Sequence, residues 1–111
     1  MINGGVAMWA QLISTRLKAG KSEQDLAPLL EKLQATEQPG SGLVRSTAMI
    51  DQQDPSRMHL LVVFESEEAA RARENDPRRS DGLAAVREMM METFDGAPEF
   101  TNLVIVEEYT G

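Results

Sequence analysis

Apolar and polar positions along the chain switch four times between the period of a strand and that of a helix, and turn residues divide what lies between the switches into elements. From Met8 to Leu17 the sequence MWAQLISTRL alternates, with Trp9, Ile13 and Leu17 on one face and Met8, Ala10 and Leu12 on the other, as a strand requires. Lys18-Ala-Gly20 ends it. Leu26, Leu29, Leu30 and Leu33 then recur at the spacing of a one-sided helix. Ser22 is placed to cap that helix, and Glu23 and Asp25 fall where the helix dipole favours negative charge. Pro28 suggests that the helix proper starts nearer Leu26, and Gln38-Pro39-Gly40 stops it.

Gly42 to Asp51 and Met58 to Glu65 read as two further strands joined through the turn chemistry of Asp54-Pro55, hence as a hairpin. A short helix from Ser66 to Glu74 breaks at Asn75-Asp76-Pro77. A second helical stretch, Ser80 to Phe94, sets Leu83, Val86, Met90 and Phe94 on one side. Phe100 to Tyr109 supplies the last strand. The order βαββαβ predicts an α+β, ferredoxin-like fold with a four-stranded antiparallel sheet. One such domain covers residues 8–111, and residues 1–7, short and Gly-containing, read as a flexible extension.

The strands carry more apolar surface than two helices can cover. The third has Met58, Leu60, Val62 and Phe64 on one face and Leu61 and Val63 on the other, and the fourth sets Val104 and Val106 opposite Leu103 and Ile105. Helices shield one face of such a sheet, so the other is expected to meet a partner, and a sheet-to-sheet homodimer is the simplest one.

Composition removes several functional classes. With 111 residues, 41% hydrophobic and 26% charged, the chain lies in the globular range. Eleven Lys and Arg against 18 Asp and Glu give a formal charge of −7, which opposes nucleic-acid binding. Without cysteine, and with a single histidine, there are no disulfides, thiolate metal sites or His-pair zinc sites, and no metal is expected. No apolar run is long enough to span a membrane, and the first residues lack the basic and apolar regions of a signal peptide, so a cytoplasmic location is expected. Neither a calcium loop, a phosphate-binding Gly-rich loop nor a Ser-His-acid arrangement is present.

Gln38-Pro-Gly40, Asp54-Pro-Ser-Arg57, Glu65-Ser-Glu-Glu-Ala69 and the Asp76-Pro77 break, in this order of elements, resemble the antibiotic-biosynthesis-monooxygenase-like domains of the dimeric α/β-barrel superfamily. The resemblance runs from Met8 to Tyr109. It implies a homodimer whose two sheets form a barrel, each subunit holding a pocket between sheet and helices. Enzymatic relatives oxygenate quinols or polycyclic aromatic substrates without metal or organic cofactor, so no cofactor is expected. Other relatives degrade haem.

Their pattern of a Glu two residues before a Trp, followed by a His in the next helix, falls here on Val62, Phe64 and Arg73. Val62 cannot take up a proton, and Arg73 cannot act as a neutral imidazole base or ligate iron. Phe64 keeps an aromatic wall without an indole N–H. The Asn that haem-degrading members carry on the first strand falls on Ile13, which argues against that branch.

Candidate residues follow. His59 is the one side chain that titrates near neutrality unperturbed, hence the default general acid or base. Its parity places it opposite Phe64, facing the helices or an exposed edge, which favours a hydrogen-bonded structural histidine. Trp9, Gln11 and Ile13 share what would be the pocket face, where Trp9 could stack on an aromatic ligand and Gln11 could hydrogen-bond it. Trp9 could equally anchor a dimer interface. Arg45 could pair with a phenolate or carboxylate, or simply reach solvent from an edge.

Arg71, Arg73, Arg78 and Arg79 form a basic cluster suited to an anion or to surface ion pairs. What the resemblance implies for the chain is a cofactor-free monooxygenase acting on a small aromatic or quinol substrate. The alternative is a non-catalytic small-molecule-binding or interaction member of the same fold.

Overall fold

A computed structural model describes residues 8–111, so the expected extension over residues 1–7 lies outside the described residues. Four strands and three α-helices follow one another in the predicted order: β1 Trp9–Arg16, α1 Glu23–Ala35, β2 Leu43–Ile50, β3 Arg57–Phe64, α2 Glu67–Glu74, α3 Ser80–Thr93 and β4 Glu99–Val104, with a 3₁₀ turn, Pro77–Arg79, leading into α3. The strands pair antiparallel in the order β2-β3-β1-β4, the ferredoxin-like arrangement.

Local chemistry sets most boundaries. The Ser22 N–H donates to the Asp25 carboxylate at 2.8 Å, and the Asp25 N–H returns to the Ser22 carbonyl at 2.9 Å. This reciprocal cap starts α1 at Glu23, so Pro28 lies inside the helix rather than delaying it to Leu26. At the sixth helical position the proline forgoes the one N–H that would have bonded the Gln24 carbonyl, a loss confined to the second turn. Ser66 caps α2 by accepting from the Ala69 N–H at 3.1 Å.

Register divides the sheet into two faces. Trp9, Gln11, Ile13 and Thr15 of β1 lie beside Phe64, Val62, Leu60 and Met58 of β3, and this row faces the helices. Against it pack Leu26 and Leu29 of α1, Ala70 of α2 and Val86 of α3. Met89 and Met90 pack on its margin while Met91 is exposed, as three consecutive helical positions must diverge. The opposite face carries Leu12, Ser14, His59, Leu61, Val63, Thr47, Met49 and Leu103, and none of the described helices lies over it.

Two features depart from the sequence reading. β4 ends at Val104 rather than continuing to Tyr109. Beyond it the Ile105 N–H still bonds the Met8 carbonyl, and Glu108 pairs with Arg45 on the far edge strand. The segment thus leaves the edge of β1 and runs across the end of the sheet. Ala10 and Val63, in the row between those edges, are 2% and 1% exposed. The second feature is a bulge in β2, where the register shifts between Leu43 and Arg45 and leaves Val44 unmatched.

The start of β2 also depends on a close approach to α2. A Cβ on Gly42 would lie 2.6 Å from the Ala69 Cβ, and φ there is +80°. Gly42→Ala therefore suffers both overpacking and left-handed strain and should lose about 2 kcal/mol or more in urea unfolding, whereas Gly20→Ala, at φ +86° in open space, should lose only about 1. Equal losses would show that the helix relaxes around the extra methyl group.

Candidate functional site

A cavity of about 440 Å³ opens between the β2 edge of the sheet and the C-terminal half of α1. Its floor is apolar, formed by Ile13 of β1 and Leu60 and Val62 of β3, and Leu30 and Leu33 of α1 form the roof. Ser46 and Ala48, small residues on β2, keep the mouth wide. The inner end is different: there Glu37, Arg73 and Arg79 bring three charges to one wall.

These charges come from three elements. Glu37 follows the C-cap of α1, Arg73 stands on α2, and Arg79 ends the 3₁₀ turn. Arg73 Nε donates to both Glu37 carboxylate oxygens at 3.0 Å, and its Nη2 donates to Oε1 at 2.7 Å. The Ser41 hydroxyl donates to Oε2 at 2.8 Å. Burial pushes the Glu37 carboxyl up, but hydrogen bonds from Arg73 and Ser41, with the charges of Arg73 and Arg79, outweigh it and leave it below its ordinary value. Glu37 is therefore ionised at neutral pH and a weak base.

Arg73 also lies over the Phe64 ring, 5.3 Å from its centroid. The three positions singled out by the resemblance thus converge: Val62 on the floor, Phe64 beneath Arg73, and Arg73 on the wall. Arg79 is 5% exposed, and its Nη1 donates to the Arg73 carbonyl at 3.2 Å. Its Nη2 reaches the Thr36 hydroxyl at 3.4 Å. Burial, then the neighbouring charge of Arg73, lowers its pKa against the pull of Glu37 and Asp76.

The remaining candidates are dispersed. Ile13 is in the cavity floor. Trp9 and Phe64 are core residues, 5% and 3% exposed, with ring centroids 6.1 Å apart and Arg71 over the indole. Trp9 is thus buried within its own chain and is not an interface anchor. Gln11 donates its amide to Asn102 at 3.1 Å. Arg45 borders the mouth, with its guanidinium turned to Glu108.

His59 lies on the uncovered face rather than against the helices or at an edge, its Nδ1 2.9 Å from the Ser14 hydroxyl, because its parity is opposite to that of Leu60. The sheet separates it from the cavity, so it cannot serve chemistry there. Arg71 and Arg78 form surface pairs with Glu67, Glu74 and Asp76. Among the described residues no three His, Asp or Glu side chains are grouped to hold a metal, and no helix is long and apolar enough to cross a membrane.

The sequence reading missed Glu37 and underrated Arg79. Arg79 does carry a signal: with Leu83, Val86 and Met90 it occupies the same stripe at 3.6-residue spacing, so an arginine stood at the head of a buried face. Glu37 has none, since its place depends on the path of the chain between α1 and β2.

No protein-family model matches the chain, and no curated protein is similar to it in sequence. Solved structures do match. SnoaB, a cofactor-independent oxygenase from Streptomyces nogalater, superposes with a TM-score of 0.69 at 13% identity, over 93% of this chain and 97% of that one. A candidate antibiotic biosynthesis monooxygenase from Chloroflexus aurantiacus gives 0.66 at 19% identity, over 93% and 97%. A protein of unknown function from Nitrosomonas europaea gives 0.70 at 18%, over 97% and 98%. At these identities the likeness is one of fold.

Glu37→Gln should leave Arg73 without its counter-charge and destabilise the protein by about 1–3 kcal/mol at pH 7. Because the carboxyl is depressed on folding, its contribution is complete above the unfolded value of 4.5 and disappears as pH falls through the lower folded value. The difference in urea midpoint between wild type and variant should therefore be constant above pH 4.5 and close on further acidification; a constant difference down to pH 2 would contradict this.

Proposed function

We propose that this chain, built on the fold of the antibiotic-biosynthesis-monooxygenase-like structures, binds a small aromatic or quinol molecule between sheet and helices and oxygenates it without a cofactor. The observation that carries the reading is the cavity itself, whose apolar floor ends in a wall with two guanidiniums and one carboxylate.

In this reading a ring lies on Ile13, Leu60 and Val62, with an ionisable oxygen toward Arg73 and Arg79. Fixed positive charge favours the substrate anion, so the protein lowers the cost of ionising the substrate instead of supplying a strong base. The anion is electron-rich and reduces O₂ directly. With an anthrone, one oxygen atom becomes the new carbonyl and the other leaves as water with the two hydrogens of that methylene carbon; with a quinol, one becomes a ring hydroxyl of the hydroxyquinone and the other leaves as water with two of the quinol's hydrogens, so the substrate is the only reductant.

A second reading keeps the binding and drops the chemistry. It is favoured by Glu37, held ionised by Arg73, and by Val62, which leave the cavity without a proton acceptor of useful basicity. Oxygen uptake with a panel of quinols and anthrones distinguishes the two. Oxygenation predicts uptake above a heat-killed control and a loss of about tenfold or more in Arg73→Leu. Pure binding predicts a rise in melting temperature with the same compounds and no uptake.

The same reading pairs two copies in the cytoplasm through their uncovered faces. It is supported by Leu12, Leu61, Met49 and Leu103 there, the last two 40% and 39% exposed. The expected mass in solution at micromolar concentration is that of a dimer, and Leu103→Glu should shift it toward the monomer while leaving the circular dichroism spectrum unchanged. A monomeric wild type would refute the pairing.

A further inference from the structure

Arg79 is the charge on the cavity wall that the protein does not neutralise. Among the described residues its buried Nε has no hydrogen-bond partner, and one of its two other bonds is long, at 3.4 Å. Among the described residues no carboxylate lies within 4 Å of its guanidinium. Both oxygens of Glu37 are taken by Arg73 and Ser41, and Asp76 is held by Arg78 through contacts of 2.7–3.1 Å.

Leaving a buried guanidinium in this condition is costly, and a guanidinium cannot escape by losing its proton at neutral pH. Packing does not require it either. On a stripe with Leu83, Val86 and Met90, an apolar side chain would bury without that penalty. Arg79 lines the wall of a cavity open to solvent, so an acceptor entering there meets a guanidinium whose bonds to the protein, at 3.2 and 3.4 Å, are few and long.

We propose that the molecule bound in this cavity carries an ionised carboxylate, received by Arg79 at the inner end while its ring rests on Ile13, Leu60 and Val62. The inference rests on the reading of the cavity as a small-molecule site and narrows the ligand to aromatic or quinol acids. Two arginines against one glutamate leave a single positive charge, which suits a monoanion better than a phosphate dianion. The apolar floor and roof require the rest of the molecule to be apolar.

Binding of 2-naphthoate and 2-naphthamide at pH 7, which share a ring system and differ in charge, tests it on the wild-type protein by isothermal titration calorimetry. The expected result is at least about tenfold tighter binding of the acid. Arg79→Gln should reduce the ratio to about one, and Arg79→Lys, which keeps the charge, should retain a preference for the acid. Equal affinity of wild type for the two compounds, or an undiminished ratio in Arg79→Gln, overturns the carboxylate while leaving the cavity a small-molecule site. Failure of both compounds to bind wild type overturns the cavity reading as well. Should Arg79→Gln not fold, the wild-type ratio and Arg79→Lys decide.

Discussion

Two helices of 13 and 14 residues, with a short third, must shield a sheet of four strands, and they reach only its middle. On the helix side burial is greatest where coverage is complete, along Trp9, Met58, Leu60, Val62 and Phe64 of the two central strands. Toward β2 the cover thins, and the cavity opens there. Toward β4 it fails on the helix side too, where Phe100 and Val104 are 59% and 66% exposed although they stand beside Ile13 and Trp9. The margins of this incomplete cover, more than any single residue, determine where the molecule has room for a ligand.

The charged wall occupies one such margin. A carboxylate and two guanidiniums at the junction of α1, α2 and the 3₁₀ turn sit where water is partly excluded, and their mutual bonds hold three chain segments around the space. Arg73 does two things at once, fixing Glu37 and lying against Phe64. The arrangement is one of electrostatic bias, with positive charge in excess and no side chain poised to accept a proton.

Much of the fold was legible because each element has a local reason to form. The leucines of α1, the Asp54-Pro55 turn and the doubly apolar β3 each fix an element without reference to the rest. The course of the chain past Val104 was not legible, since Leu103-Val-Ile-Val106 continues the strand pattern while the Arg45–Glu108 pair draws the segment aside, a contact between residues 63 positions apart. The site was legible in one part only. Parity grouped Val62 with Phe64, and Ile13 with Trp9, but it turned His59 toward the helices where the structure turns Val62 and Phe64, and it could not say that the helices would bury Trp9. Of four clustered arginines, the two that matter differ from the two at the surface by their position on a helix, not by their neighbours in sequence.

The bulge at Val44 interrupts the pairing of β2 with β3 at the edge that borders the mouth of the cavity. A regular edge strand would offer an unbroken row of N–H and C=O groups to any extended peptide or to another copy of itself. A strand added there would roof the entrance. By twisting the edge and breaking the repeat of its free hydrogen-bonding groups, one extra residue guards the molecule against edge-to-edge aggregation and keeps the way into the cavity clear.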